Sequence, residues 1–314
     1  MQDDLLPWLS KYAVWIVLLL LLIIAGAVSE AFLRPTYLFN IVRQAAPIGI
    51  TALGVTLVMI LGGVDLSVGA IISLAAVVCA VVMDGQPENI ALALAITSLV
   101  GTTIGLANGL LIAFNRISPF ILTLAMAVAI YGVTLVYSGG TAKGAPSPGF
   151  RDALNMRVLD VVPVLALILL ALTALVAAVL RYTRFGRNLY LVGSNSEAAR
   201  LSGLPVRWIT VCAYAASGFF AALGGIALLA RAGVSSTYAG RGYEFDVLAA
   251  VILGGTTFAG GRGGAGGTLA GVFVLLVAFN LVNIAGLSVS AQLILKGLII
   301  IAASAAYQSL RSRE

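Results

Sequence analysis

Apolar runs long enough to cross a bilayer recur along the whole chain, and that leaves few folds open. In lipid every backbone N–H and C=O must be satisfied within the protein, which restricts spanning structures to helices and closed barrels. A helical span needs about 20 residues. Ten runs are read, at 12–30, 45–62, 66–83, 90–113, 119–137, 161–180, 208–230, 245–260, 267–285 and 290–308. Runs two and three are separated only by GGVD, and run eight is short. With 10% charged residues, the chain falls far below the roughly 25% of soluble domains. The expectation is an all-α membrane protein of about ten transmembrane helices, forming one domain over 1–314. The first run is too long for the apolar core of a cleaved leader, so it is expected to be a span.

Basic residues in loops mark the cytoplasmic side of a membrane protein. The segment 181–207 carries Arg181, Arg184, Arg187, Arg200 and Arg207 against one acid, Glu197. Placing it inside and threading ten spans from it puts both termini inside, with ten Lys/Arg inside and seven outside. The acids divide five inside and seven outside. The net charge of +6 therefore sets topology and does not mark a nucleic-acid binder. The largest polar interruption, 138–160, is expected outside with a short interfacial helix.

Within 181–207 lies a short helix with its own start and stop signals. Ser194 followed three residues later by Glu197 reads as a capping box, and Gly203 with Pro205 ends the helix. A capped helix in a basic loop has no task in holding lipid; it has the size of a knob that plugs into another protein.

GGVDLSVG (62–69) sets Asp65 and three glycines between two apolar runs. A carboxylate at membrane depth costs roughly 2.5 to 3.5 kcal/mol even on lenient scales, so Asp65 needs a partner or water. Two readings stand: a tight interfacial turn in which Asp65 caps span three with help from Ser67, or a broken-helix element lining a path. The stretch 252–271 holds nine glycines, including a formal G-x-G-x-x-G at Gly261, Gly263 and Gly266. No βαβ unit surrounds it, so a dinucleotide site is rejected; the glycines permit close helix approach and irregular backbone. GTTIGLANGLLIAFN (101–115) and GGTLAGVFVLLVAFN (266–280) share seven of fifteen positions. Read as a repeat, this pairs span four with span nine and makes the two five-helix halves inverted, an arrangement many transporters use.

Other polar side chains within the spans are few: Asn108, Asn115, Tyr131, Asn280, Asn283, Gln292 and Lys296. The amides and the phenol can hydrogen-bond the hydroxyls of a solute or simply bond neighbouring helices. With Asp65 they are the candidate path residues. Lys296 is expected to pair with a carboxylate or to snorkel. Cys79 and Cys212 lie in apolar runs and are expected to pack as small hydrophobes. The chain has no histidine, no P-loop motif, no nucleophile–base pair and no ligand cluster. Catalysis, a metal and a bound cofactor are not expected.

Five ordered blocks resemble the permease subunit of bacterial ribose-type ABC sugar importers. They are GGVDLSVGA (62–70), GLANGLLIA (105–113), ISPFILTLA (117–125), TRFGRNLYLVGSNSEAARLSG (183–203) and GYEFDVLAAVILGGTTFAGGRGGAGGTLAG (242–271). The resemblance implies a dimeric ten-span permease in the bacterial inner membrane. It also implies a separate cytoplasmic ATPase subunit, which binds the ATP, and an extracytoplasmic sugar-binding protein. ABC permeases carry E-A-A-x-x-x-G in the loop that docks on the ATPase, and Glu197, Ala198, Ala199 and Gly203 match it. With Ser194, these are the expected docking residues of a coupling helix: small alanines let it enter a cleft and Gly203 stops it. Two alternatives remain. One is an ion-coupled secondary carrier using Asp65, Glu244 or Asp246. The other is the related branched-chain amino acid permease, whose zwitterionic cargo calls for charged path residues.

Overall fold

The computed structural model describes residues 5–301, apart from 116, 160, 289, 295, 299 and 300. In chain order the helices are α1 (Leu5–Val28), α2 (Pro35–Ile60), α3 (Val68–Met83), α4 (Ile90–Asn115), α5 (Pro119–Ser138) and α6 (Pro148–Asn155). After a two-stranded hairpin, β1 (Arg157–Val158) and β2 (Val162–Pro163), come α7 (Val164–Tyr182), α8 (Arg184–Ser194), α9 (Ser196–Leu201), α10 (Val206–Ala232), α11 (Tyr243–Leu253) and α12 (Ala265–Ile284). Proline opens α2, α5 and α6, where the first turn has no use for the missing N–H and the fixed φ is already helical.

Among the described residues, six helices are long and apolar enough to cross a membrane: α2, α4 with the turn leading into it, α5, α7, α10 and α12. The apolar part of α1 (Ala13–Val28) and α3 are shorter. Two of the expected spans differ from the sequence reading. The eighth, expected over 245–260, is helical only to Leu253. At 1.5 Å per residue its 11 residues reach about 16 Å, half the roughly 30 Å of hydrocarbon. The tenth, 290–308, is helical at 290–294 and 296–298, and most of its remainder lies outside the described residues. Arg116, Arg311 and Arg313, which enter the charge bias, lie outside them as well.

α10 is the axis of the bundle, packing on α2, α3 and α4. α2 over 45–60 and nearly all of α3 are buried. α4, α5 and α7 turn Leu99, Val128, Val136 and Leu170 outward, as expected where the solvent is lipid. The α4–α10 contact is close because Gly101, Gly105 and Gly109 recur at four-residue intervals along one face of α4. A Cβ on Gly105 would strike the Tyr214 carbonyl, and one on Gly218 would strike that of Gly101. Small-xxx-small faces let helix backbones touch where no hydrophobic force drives helices together. Gly105→Val is therefore expected to destabilise the bundle by about 1–3 kcal/mol, read as a lower melting temperature in detergent. Gly132→Val on α5, where no atom lies within 4 Å of the added Cβ, is expected to melt like the parent. Equal melting of the two variants would refute the contact.

Candidate functional site

Between α2 and α3 the chain leaves helical geometry for residues 61–67; Gly62 is exposed, but the second half of the break, Asp65 to Ser67, is buried within the bundle. Asp65 is 2% exposed. Its Oδ1 accepts from the Ser67 backbone N–H (3.0 Å) and the Ser67 hydroxyl (2.5 Å), and its Oδ2 accepts from the Ser217 hydroxyl of α10 (2.8 Å). Asn108 of α4 donates to the Ser67 hydroxyl at 3.0 Å. The Leu66 N–H finds Thr123 of α5 (3.1 Å), and the Tyr214 hydroxyl of α10 donates to the Val64 carbonyl (3.2 Å). The geometry holds elements of both sequence readings: Asp65 accepts from the N–H two residues on, as a capping carboxylate does, and it does so in the buried part of a break between two helices. Asp65 bonds its own turn and a neighbouring helix, and Ser67, at the N-cap position, makes no side-chain cap bond.

A second irregular segment, 233–242, follows α10 and reaches the first two turns of α3. The Gly240 N–H donates to the Ser73 hydroxyl (2.9 Å), and Gly240 and Gly69 approach with no room for a Cβ on either. α11 starts at this contact, with Glu244 packed against Gly69 and accepting from the Gly242 N–H (3.0 Å). Asp246, one turn into α11, pairs with Lys296 at 2.5 Å, so the intramembrane lysine has its carboxylate. Both short helices thus begin inside the bundle, beside each other.

The seven path candidates do not form one site. Asp65 and Asn108 belong to the break. The hydroxyl of Tyr131 is buried without a hydrogen-bond partner, within electrostatic reach of Glu244. Asn280 lies toward the far end of α12 and accepts from the Tyr37 hydroxyl (3.1 Å). Asn283 and Gln292 bond each other at 2.6 Å, and Asn115 is the exposed last residue of α4. Of the cysteines, Cys79 is buried and Cys212 is exposed. Sequence reasoning missed the hydroxyls of Ser217, Thr123 and Ser73; a small polar residue inside an apolar run is the only signal they give.

The basic loop folds as two helices. α8 was not anticipated, although Leu189 and Val192 with Phe185 give it an apolar face. The N-cap of α9 is Asn195, whose side chain accepts from the Ala198 N–H at 2.9 Å. The expected capping box does not form: Ser194 ends α8 and bonds the Tyr190 carbonyl, while Glu197 pairs with Arg200. Gly203, at φ 80°, supplies the left-handed stop that a side chain resists. Ala199 is buried against the bundle, whereas Ala198 is exposed and Leu201 is 74% exposed. Beneath α8 lies the glycine-rich turn. The Tyr190 hydroxyl donates to the Gly263 carbonyl (2.8 Å), the Gly261 N–H donates to the Ile60 carbonyl (2.8 Å), and Gly193 is pressed against both Ile60 and Gly261.

Helices interrupted within a membrane bundle occur in many solute transporters. Comparison with known proteins agrees. The family described as branched-chain amino acid transport system / permease component matches residues 37–304, and the chain belongs to that family. It is 37% identical over 303 residues to the ribose import permease protein RbsC of Escherichia coli, covering 94% of this chain and 93% of that one. The Bacillus subtilis protein of the same name is 36% identical over 94% of this chain and 92% of its own length. The galactose/methyl galactoside import permease protein MglC of Salmonella typhimurium is 35% identical, covering 97% and 96%. No solved structure matches the chain.

If the Asp65 cluster holds the break together, Asp65→Ala leaves the Ser67 N–H and two hydroxyls without their acceptor, at about 1–3 kcal/mol per stranded group. A clear fall in melting temperature is expected, with a smaller one for Asp65→Asn, which keeps an acceptor oxygen. An Asp65→Ala variant as stable as the parent would show that the cluster does not support the fold.

Proposed function

We propose that this chain is the membrane-spanning permease subunit of an ATP-binding-cassette importer that brings a monosaccharide into the cell. The observation that carries the reading is similarity over almost the whole chain to proteins named ribose and galactose import permeases, although the family as a whole takes its name from amino acid transport. The largely neutral amides and hydroxyls of the candidate path suit a polyhydroxylated solute. An ion-coupled carrier draws little support, because its three candidate carboxylates are engaged: Asp65 by hydroxyls, Glu244 by a backbone N–H and Asp246 by Lys296. The subunit itself performs no chemistry; a cytoplasmic ATPase supplies the energy and an extracytoplasmic binding protein delivers the sugar.

In this reading α8–α9 faces the cytoplasm, as the arginines favour, both termini lie on that side, and the permease works as a pair of copies. Inversion of two five-helix halves is supported by the position of the interrupted helices: α3 and α11 each fall third in their half. The exposed Ala198, Leu201 and Gly203, with Glu197 and Ser194 beside them, form the surface that enters the ATPase, while Ala199 anchors the knob to the bundle.

Reconstituted with its ATPase and binding protein, the permease is expected to import ribose or galactose when ATP is supplied, and to continue after a protonophore collapses the ion gradient. Gly203→Val strains the helix stop and Ala198→Trp overfills the exposed face, each by roughly 1–3 kcal/mol. ATPase association should weaken about five- to a hundredfold, while Arg187→Gln on α8 changes little. Uptake abolished by the protonophore at constant ATP would favour the ion-coupled carrier. Wild-type ATPase association in both helix variants would remove the docking role.

A further inference from the structure

At the end of the bundle opposite α8–α9, the ends of α2, α10 and α12 enclose a polar cavity of about 360 Å³ lined by Tyr37, Asn40, Arg43, Gln44, Arg231 and Asn280. Its walls are fixed. The Tyr37 hydroxyl donates to Asn280, and Asn280 donates to the Leu276 carbonyl (2.8 Å). Arg43 is steadied by one contact with Asn155 (3.3 Å), and Asn155 is tied to the Ala230 carbonyl of α10 (2.8 Å). What the walls lack is negative charge. Among the described residues neither Arg43 nor Arg231 has a carboxylate partner, and the Nε of each is buried without an acceptor. The phenol of Tyr243 lies within hydrogen-bond reach of the Arg231 guanidinium but carries no counter-charge. Arg157 stands on an adjoining pocket that shares Asn40 and Arg43.

Two guanidiniums converging on one cavity repel each other, and burying the Nε donor of each without an acceptor is costly. A tetrahedral oxyanion removes both penalties, since its several oxygens can accept from two planar forks at once. Depth narrows the source. Arg231 is one residue from the end of α10, Asn280 four from the end of α12, and Tyr37–Gln44 occupy the first turns of α2. With 26 residues, α2 is about 39 Å long, about 9 Å more than the roughly 30 Å of hydrocarbon, so up to about six of its first residues can stand in the headgroup layer, with Arg43 within one turn of that boundary.

We propose that this cavity is a phosphate site, and that it holds the headgroup of an anionic phospholipid from the leaflet on that side. The proposal goes beyond the transport reading and does not depend on it, because a neutral sugar supplies no counter-charge to the arginines. The lipid would act as a structural ligand bridging the far ends of α2, α10 and α12.

The test is the melting temperature of the full chain, delipidated in neutral detergent, titrated with phosphatidylglycerol and, at matched ionic strength, with inorganic phosphate or chloride. Phosphatidylglycerol is expected to raise the melting temperature saturably and phosphate much less. The apparent affinity should fall at least about tenfold in Arg43→Gln/Arg231→Gln, the loss expected for charge-assisted hydrogen bonds. Asn40→Asp places a carboxylate in the cavity and serves if the double variant does not fold. It should melt higher than the parent without lipid and lose most of the lipid response. Absence of stabilisation by phosphatidylglycerol would overturn the site, as would an unchanged response in the double variant or in Asn40→Asp. Full stabilisation by phosphate alone would overturn the lipid source.

Discussion

A helix interrupted inside a bilayer frees backbone donors and acceptors where no lipid can meet them, and the arrangement around residues 61–67 answers that constraint. Three neighbouring helices each contribute a hydroxyl or an amide: Ser217 and Tyr214 from α10, Asn108 from α4 and Thr123 from α5. Asp65 gathers the turn from within. The second irregular segment depends on the first, because Gly240 can bond Ser73 and lie against Gly69 only where α3 begins inside the bundle. The position of α11, and with it the Asp246–Lys296 pair, follows from that contact.

The same region is where the basic loop meets the bundle. Gly193 of α8, Ile60 at the end of α2 and Gly261 in the turn before α12 touch without intervening side chains, and Tyr190 ties α8 to Gly263. Contacts of this closeness have no slack to absorb a displacement. A push on α8–α9 is therefore delivered to the end of α2, one turn from the Asp65 break, and to the turn joining α11 with α12. A displacement of α8–α9 thus acts on both interrupted helices together; under the proposed docking of an ATPase on this loop, that is how its movement would reach them.

How much was legible in the sequence varied with the range of the interaction responsible. The long spans were legible because hydropathy over about 20 residues is a local property, and Gly203 was legible as a stop because only the left-handed backbone at that point favours glycine. The cap of α9 was misplaced by one residue: Ser194, Asn195 and Ser196 all have capping side chains, and only packing selects Asn195. The end of α11 was legible but overlooked: Gly254 and Gly255 follow Leu253 directly, a glycine stop of the kind that ends helices, and the apolar run was extended across them. Asn280 was noticed but not its partner Tyr37, 243 positions away, and Ser217 gave no sign of holding Asp65. The arginines of the far cavity entered the sequence reading only as loop charges, since their convergence is purely tertiary.

Site-resolved hydrogen–deuterium exchange of the backbone tests the central claim, that the break is an internally satisfied part of the core rather than a loop. The amides of Leu66, Ser67 and Gly240 are predicted to exchange as slowly as those in the middle of α10. Exchange as fast as in the exposed turn at 139–144 would contradict the account.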